Sequence, residues 1–575
     1  MDTPRGRTMK KTHTLTTIQF LYIVVLCLAL FLRLVNLNDV PLSENEAHHA
    51  LCAMDANRAG CEGESGLYGF FTNLLFHLFG ESNFASRLLP AIAGSLLVLL
   101  PLIMDSYLDK KTGMVVAGCL ALDPILIQVS RSADATMIAV VLILFMVAFA
   151  LKQDYKTTVI LFMFGLLCGP TFWLGIFLLI CSYGITRHFA KKKNQDFEWI
   201  MPKECSFVKE KNAHSVGIIV LITWVAISTH FFTVPAGFLS PVQSFATLLT
   251  GRWQPTTGNS IPSGIKLIGL LLYAAFGICL SIAAMIRRKS NLSVNQIFYI
   301  VGFGIAVIIL LLPGMPFMQS VWSIIPVWFL AAGEIIHLAE NAFIERKHIL
   351  IPTLVGAVIL IYLGLQTVRI RYLLSVGMNF QENIYLLIVP LLLIFVFILL
   401  YAYGWSGTLA KQVLAILFLA CGCFGLWRNA NRAANLTGTA EYELIQQGYF
   451  VHNAEILQHE IEQYRVTHGA FPEDIDIGLT SSDREKSLEW LLRDYNVVPF
   501  SEISNKNVDN FDIVITQGEK IQEYTGFYKQ SLALVSNVKI FKGDYSGFLP
   551  KEILEWMIYR RGTLELQNYT LWFKF

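Results

Sequence analysis

Charge is scarce in this chain. Only 15% of its 575 residues are Asp, Glu, Lys or Arg, against roughly 25% in an average soluble domain. The mean hydropathy is +0.54. That deficit excludes a conventional soluble enzyme, a disordered protein and a coiled coil. Cysteine is sparse too. Most of the ten (Cys27, Cys119, Cys168, Cys181 and Cys279 among them) lie inside apolar runs, which excludes a disulfide framework. Only Cys52 and Cys61 share a polar loop, where a disulfide would close a short ring. There is no internal repeat and no low-complexity tract. The missing half-and-half repeat argues against a secondary transporter. A net charge of +2 decides nothing about nucleic acid, because membrane proteins place charge by side. No nucleic-acid partner is expected.

What is present is apolar sequence, with 40 Phe, in runs long enough to span a bilayer. Candidate spans are 16–36, 87–104, 113–129, 134–151, 215–234, 265–286, 294–312, 320–338, 349–367, 383–403 and 410–427. The first is too long for a signal peptide, and no small-residue cleavage site follows it. The stretch 157–186 reads as one span or as two broken at Gly169-Pro170. Taken as one, it puts Lys191-Lys192-Lys193 and Arg287-Arg288-Lys289 on the outside, against the positive-inside rule. Taken as two, it gives 13 spans, with 21 Lys/Arg in inner segments against five in outer ones before the tail, or eight if Arg33, Arg87 and Lys266 at the membrane edges count. The expected architecture is a polytopic α-helical membrane domain, 1–427, with a cytoplasmic N-terminus. A small extracytoplasmic α/β domain, 428–575, follows. In that tail 439–467 and 483–495 read as helices and Phe511–Ile515 as a buried strand.

Chemistry is expected in the outer loop 37–86, which holds seven acids. Its core is Pro41-Leu42-Ser43-Glu44-Asn45-Glu46-Ala47-His48-His49-Ala50. Ser43 with Glu46 three residues on has the spacing of a capping box. Glu46 is therefore either a helix-cap partner or a carboxylate fixed as general base, and Glu44 a second site acid or a solvated one. Glu46 with His49 could ligate a divalent metal. Adjacent histidines on a helix diverge by about 100°, so only one could join Glu46. A second polar turn, Ser130-Arg131-Ser132-Ala133-Asp134, either caps the next span or brings Asp134 to the same cavity. Arg87, Arg131 and Arg252 are the candidate phosphate contacts, weighed against simple interfacial anchoring.

These residues together resemble a known family. Arg33, then Pro41 to Ala47, Leu78-Phe79-Gly80-Glu81-Ser82, Arg87-Leu88-Leu89-Pro90-Ala91-Ile92-Ala93-Gly94, Asp123-Pro124, and Ser130-Arg131 before Asp134 look like type C glycosyltransferases of the protein O-mannosyltransferase and aminoarabinose transferase group. The resemblance is good over 20–190 and thin afterwards. Leu488-Glu489-Trp490-Leu491-Leu492-Arg493-Asp494-Tyr495 is similar to prokaryotic dolichyl-phosphate-mannose-type members. The resemblance implies a polyprenyl-phosphate sugar donor, an acceptor (protein, glycan or lipid) on the outer face, and inversion at the anomeric carbon. Glu46, or Glu44, would be the base and Asp134 the second acid, and the family's arginine before the second span falls on Arg87. Arg252 and Arg131 join it as phosphate candidates on their own chemistry, not through the resemblance. The family's acidic pair falls on Asn45-Glu46, where Asn45 replaces the first acid, or on Glu44 and Glu46 if a spaced pair is allowed. The family's later basic-tyrosine motif is not recognisable around Met315–Pro326. No cofactor is expected beyond a divalent metal that Glu46 and His49 could hold. The expected location is a multi-pass position in a prokaryotic plasma membrane. The rival readings are a flippase or transporter of lipid-linked sugars and a catalytically silent scaffold.

Overall fold

The computed structural model describes residues 17–58, 60–61, 64–192, 213–251, 261–288, 292–342, 346–376, 385–404, 406–436, 440–445, 450–480, 486–500, 508–518, 524–539, 556 and 563–575. Its first part is a bundle of apolar helices. These are α1 (Thr17–Leu34), the loop helices α2 (Glu44–Met54) and α3 (Gly66–Phe79), α4 (Asn83–Ile103), α5 (Lys110–Leu122), α6 (Pro124–Ser130), α7 (Thr136–Leu151), α8 (Tyr155–Gly165) and α9 (Pro170–Lys192). Then come α10 (Ala213–Ser228), α11 (Ser240–Thr250), α12 (Ser263–Tyr273), α13 (Ala275–Arg287), α14 (Val294–Leu310), α15 (Val321–Ala342), α16 (Arg346–Ser375), α17 (Tyr385–Gly404) and α18 (Gly407–Ala434). The chain is a multi-pass membrane protein. Among the described residues seven helices are long and apolar enough to cross a bilayer, or up to nine if each of two bent pairs is one span. The 13 spans expected are not reached on that measure, because α7, α10 and α14 are shorter apolar helices and α8 has 11 residues.

The breaks have local causes. Span 113–129 divides into α5 and α6, bent by 58°. Asp123 caps α6 through the N–H of Leu126 (3.0 Å), and Pro124 opens it. Arg33 donates to the freed carbonyls of Leu120 (3.1 Å) and Ala121 (3.3 Å) at the end of α5. Trp328 Nε1 closes on the other Asp123 oxygen at 2.8 Å. A helix can open inside an apolar layer only where its freed backbone groups find such partners. Gly169, with φ +80°, turns the chain between α8 and α9. Leu167 in that break accepts from Leu67 N–H (3.2 Å) and Ser65 Oγ (2.8 Å), so the break lies on the face that carries the first loop. On the opposite face Lys111 pairs with Glu340, Lys152 with Asp105 and Arg287 with Glu334. The run 265–286, expected as one span, is bent by 82° between α12 and α13.

The C-terminal part is an α/β domain. Strands β1 (Phe450–Val451), β2 (Asp476–Thr480), β3 (Asn496–Phe500), β4 (Ile513–Gln517), β5 (Phe527–Lys539) and β6 (Thr563–Lys574) form one mixed sheet in the order β1-β5-β6-β4-β2-β3. Strand β2 is parallel to β3 and β4, and the other pairs are antiparallel. Helix α19 (Ala454–His468) buries Leu457 and Ile461 against Ile477, Ile513 and Leu571. The helix expected from 439 thus starts at 454, after β1. The one expected over 483–495 is the six-residue α20 (Lys486–Leu491) followed by β3. Before the sheet the chain dips into the helical bundle, where Leu444 and Ile445 are buried and Tyr273 donates to Glu443.

Candidate functional site

Helix α2 begins as the spacing predicts. Ser43 is its N-cap, and both its N–H and its hydroxyl donate to Glu46 Oε2 at 3.0 Å. Glu46 also receives Arg87, from Nε to Oε1 and from Nη2 to Oε2, each at 2.9 Å. Ala133 N–H completes the set on Oε1 at 3.0 Å. The remaining Arg87 donors go to the carbonyls of Leu37 (3.2 Å), Val40 (2.7 Å) and Pro41 (3.2 Å). Both side chains are buried. Burial alone would raise the Glu46 pKa; Arg87 and these hydrogen bonds outweigh it and hold the carboxyl below its usual range. Glu46 has no oxygen left for an acceptor, and Arg87 has no N–H left for a phosphate. What Glu46 does is bind the first loop to α4 and to the turn before α7.

The two distant acidic turns therefore meet. Asp134, next to Ala133, accepts from Thr136 N–H (3.1 Å) and Oγ1 (2.7 Å), capping α7. Burial pushes its carboxyl up to about 6, with the His49 charge acting against that shift and the Glu46 charge adding to it. Such a group is ionised at neutral pH yet basic enough to take a proton.

Glu44 is elsewhere. Its carboxylate accepts from the N–H groups of Lys486 (2.6 Å) and Ser487 (3.0 Å) and from Ser487 Oγ (2.9 Å), at the start of α20. It is fully buried, and burial pushes its pKa up. Around it Arg58 pairs with Glu489, Trp490 Nε1 donates to Asn83 (2.8 Å), and Arg493 Nη2 to the Glu81 carbonyl (2.7 Å). Glu44 thus holds the C-terminal domain on the first loop. Arg131 donates to the carbonyls of Leu32, Arg33, Val35 and Asn36, closing the end of α1. Arg252 lies outside the described residues.

A cavity of about 380 Å³ lies beside α2, and its lining includes His49 but none of Glu44, Glu46 and Asp134. His49, Arg58, Glu64 and Tyr68 line one side, His230, Ser240 and Gln243 the other. Glu64 spans two histidines, with Oε1 3.2 Å from His48 Nε2 and Oε2 2.6 Å from His49 Nδ1. Burial disfavours the charged His49 ring, but Glu64, then Asp134 and Glu46, outweigh it and push its pKa up to about 9. The disulfide Cys52–Cys61, with Cα atoms 5.5 Å apart, folds the loop back so that Glu64 reaches α2. Sequence reasoning counted Glu64 among the loop acids without singling it out; the paired cysteines were the signal that it returns to α2. Among the described residues no group of three or more His, Cys, Asp or Glu is arranged to hold a metal ion. The two expected ligands are engaged otherwise, Glu46 with Arg87 and His49 with Glu64.

The far wall is apolar outside. His230, Phe231 and Phe232 take left-handed φ values of 47°, 54° and 69°. Phe231 and Phe232 are 69% and 71% exposed. Helix α11 buries Ser240 and Ser244 and exposes Val242, Phe245 and Leu249, the reverse of a helix on a water-soluble protein.

Residues 65–199 match the family described as dolichyl-phosphate-mannose-protein mannosyltransferase. No curated protein matches the chain in sequence. Among solved structures it is similar to ArnT from Cupriavidus metallidurans in the apo state, with TM-score 0.50 and 13% identity over 87% of this chain and 93% of that one. The same protein bound to undecaprenyl phosphate gives 0.49 and 13% over 86% and 92%. The Archaeoglobus fulgidus oligosaccharyltransferase gives 0.47 and 10% over 87% and 69%. The chain thus shares the fold of ArnT from Cupriavidus metallidurans, and its residues 65–199 are similar to the mannosyltransferase family.

Proposed function

We propose that the protein is an integral-membrane glycosyltransferase. It moves a sugar from a polyprenyl-phosphate donor to an acceptor (protein, glycan or lipid) at the extracytoplasmic face, with inversion. One observation carries the reading. The turn bearing Asp134 is joined through Ala133 to Glu46, and His49, three residues on from Glu46, lines a cavity whose other wall turns apolar side chains outward. A donor with a phosphate head and an isoprenoid tail needs that combination. The head sits among polar groups while the tail stays in the bilayer. ArnT from Cupriavidus metallidurans has been solved with undecaprenyl phosphate, a carrier of this class.

Asp134, half-buried and with a single hydrogen bond on each oxygen, takes the role of base in place of Glu46 and Glu44, which are buried and accept five and three hydrogen bonds. It accepts the proton of an acceptor hydroxyl. The oxygen attacks the anomeric carbon from the face opposite the phosphate. The bond from that carbon to the phosphate oxygen breaks, and its electron pair leaves with the lipid phosphate. No metal enters this scheme. Glu46 and Arg87 form the frame that keeps Asp134 in place, and Glu44 keeps the C-terminal domain beside the cavity. The basic groups gathered at the opposite ends of the helices support a cytoplasmic N-terminus in a plasma membrane, with the C-terminal domain outside.

The test is transfer from labelled polyprenyl-phosphate sugars by the purified full chain in liposomes, with no partner protein. Asp134→Asn should abolish transfer while leaving the protein folded. Full transfer by that variant would remove Asp134 from the chemistry. No transfer by the wild type from any polyprenyl-phosphate sugar would favour a transporter or a scaffold.

A further inference from the structure

A leaving phosphate gains charge as its bond to the sugar breaks, so it needs a fixed donor where that charge develops. Two of the three arginines expected for the task are committed elsewhere. Arg87 serves Glu46 and the loop carbonyls, and Arg131 serves the end of α1. Among the described residues the cavity offers Arg58, His49 and His230. Arg58 is paired with Glu489 and so ties the C-terminal domain down. His230 is pushed toward its neutral form by burial.

We propose that His49, oriented by Glu64, donates the hydrogen bond that receives the donor phosphate, and that Glu64 is its positioning residue. The inference rests on the donor reading above and deepens it. The geometry is specific. Glu64 Oε2 takes Nδ1–H of His49 at 2.6 Å, which fixes the ring plane and leaves Nε2 as the remaining donor. No described residue bonds Nε2. Glu64 Oε1 is held at the same time by His48 Nε2 at 3.2 Å, so the carboxylate cannot swing away. The Cys52–Cys61 ring and the hydrogen bond from Glu64 N–H to the Cys61 carbonyl (3.4 Å) bring it there. Asp134 and Glu46 lie near enough for their charges to favour the imidazolium.

The chemistry balances without a second proton transfer. The acceptor proton goes to Asp134. The electron pair of the broken bond goes to the phosphate oxygen. Nε2–H of His49 bonds that oxygen and keeps its proton. His49 thus touches the reacting group, and Glu64 acts through it.

The experiment compares binding of a polyprenyl phosphate and of the polyprenol of equal length to the full chain in nanodiscs. The wild type should prefer the phosphate by about tenfold or more, the scale of one charge-assisted hydrogen bond. His49→Asn and Glu64→Gln should each remove most of that preference and leave polyprenol binding intact. Adding His49→Arg to Glu64→Gln should restore it, because a guanidinium carries its charge without needing Glu64 to orient it. A purely structural Glu64 would show no such rescue. Retention of the full preference in both single variants would overturn the dyad while leaving the donor reading standing. Failure of the arginine rescue would overturn the positioning role of Glu64. A wild type with no preference for the phosphate would overturn the donor reading, and this inference with it.

Discussion

Glu44 and Ser487, 443 residues apart, are joined by two hydrogen bonds of 3.0 and 2.9 Å to one carboxylate oxygen. The other oxygen holds Lys486 N–H. The first loop of the membrane domain therefore supplies the cap for a helix of the C-terminal domain. Glu44→Ala leaves buried N–H groups without partners, at a cost of about 1–3 kcal/mol each. Hydrogen exchange should show residues 486–491 losing protection in this variant, with α4 and α7 unchanged. Unchanged protection at 486–491 would mean that the contact does not hold the domain.

Glu46 and Arg87 give a different outcome. They form a buried pair with both partners saturated, and removing one member of such a pair costs about 3–5 kcal/mol. Glu46→Gln should lower the thermal unfolding temperature of the purified chain sharply. A second change, Arg87→Met, should recover part of that loss, since it removes the stranded cation. The folded carboxyl lies below its ordinary pKa. Its stabilisation is therefore complete above the unfolded value and is lost as pH falls through the folded one. Activity lost in Glu46→Gln would thus report a broken frame, and would not identify a base. A variant as stable as wild type would contradict the frame.

Much of this site could be read from residue types and spacing. The Ser43–Glu46 capping pair and the Gly169-Pro170 break were legible, because the first rests on a local rule and the second on charge distribution, whereas the approach of the Ala133–Asp134 turn to Glu46 was one of two open alternatives. The role of Glu44 was not, because its partners lie 442 and 443 residues away and only the tertiary fold brings them in. The same limit hid the commitments of Arg87 and Arg131, since backbone carbonyls leave no mark in a sequence. The 82° bend at Ala274 has no glycine or proline to announce it. In the tail, β1 interrupts a run whose periodicity suited a helix from 439. Burial of Phe450 and Val451 against β5 overrides that preference.

Asp134 makes a prediction in pH. A base must be ionised to act, and burial pushes this carboxyl up to about 6. The rate of transfer under limiting substrate should therefore fall as pH drops through about 6 and level off above it. His49→Asn removes the charge that opposes burial, so the falling limb should move to higher pH. Asp134→Asn should lower the rate by roughly 10²–10⁴-fold, the usual range for a positioned general base. A flat profile between pH 5 and 7, at rates well below diffusion control, would assign the proton to another group.

The Cys52–Cys61 bond ties the cavity to the redox state of its surroundings. A ring of this size restricts the unfolded chain by about 2.5 kcal/mol in the chain-entropy view. Its larger effect here is positional, because Glu64 follows Cys61 by three residues and must return to His48 and His49. The double variant Cys52→Ser, Cys61→Ser should melt at a lower temperature than wild type. It should also lose part of the preference for polyprenyl phosphate over polyprenol, in the same direction as Glu64→Gln. Combining it with Glu64→Gln should cost little further preference, since both changes act on one contact. Additive losses would show that the ring and Glu64 serve the cavity separately.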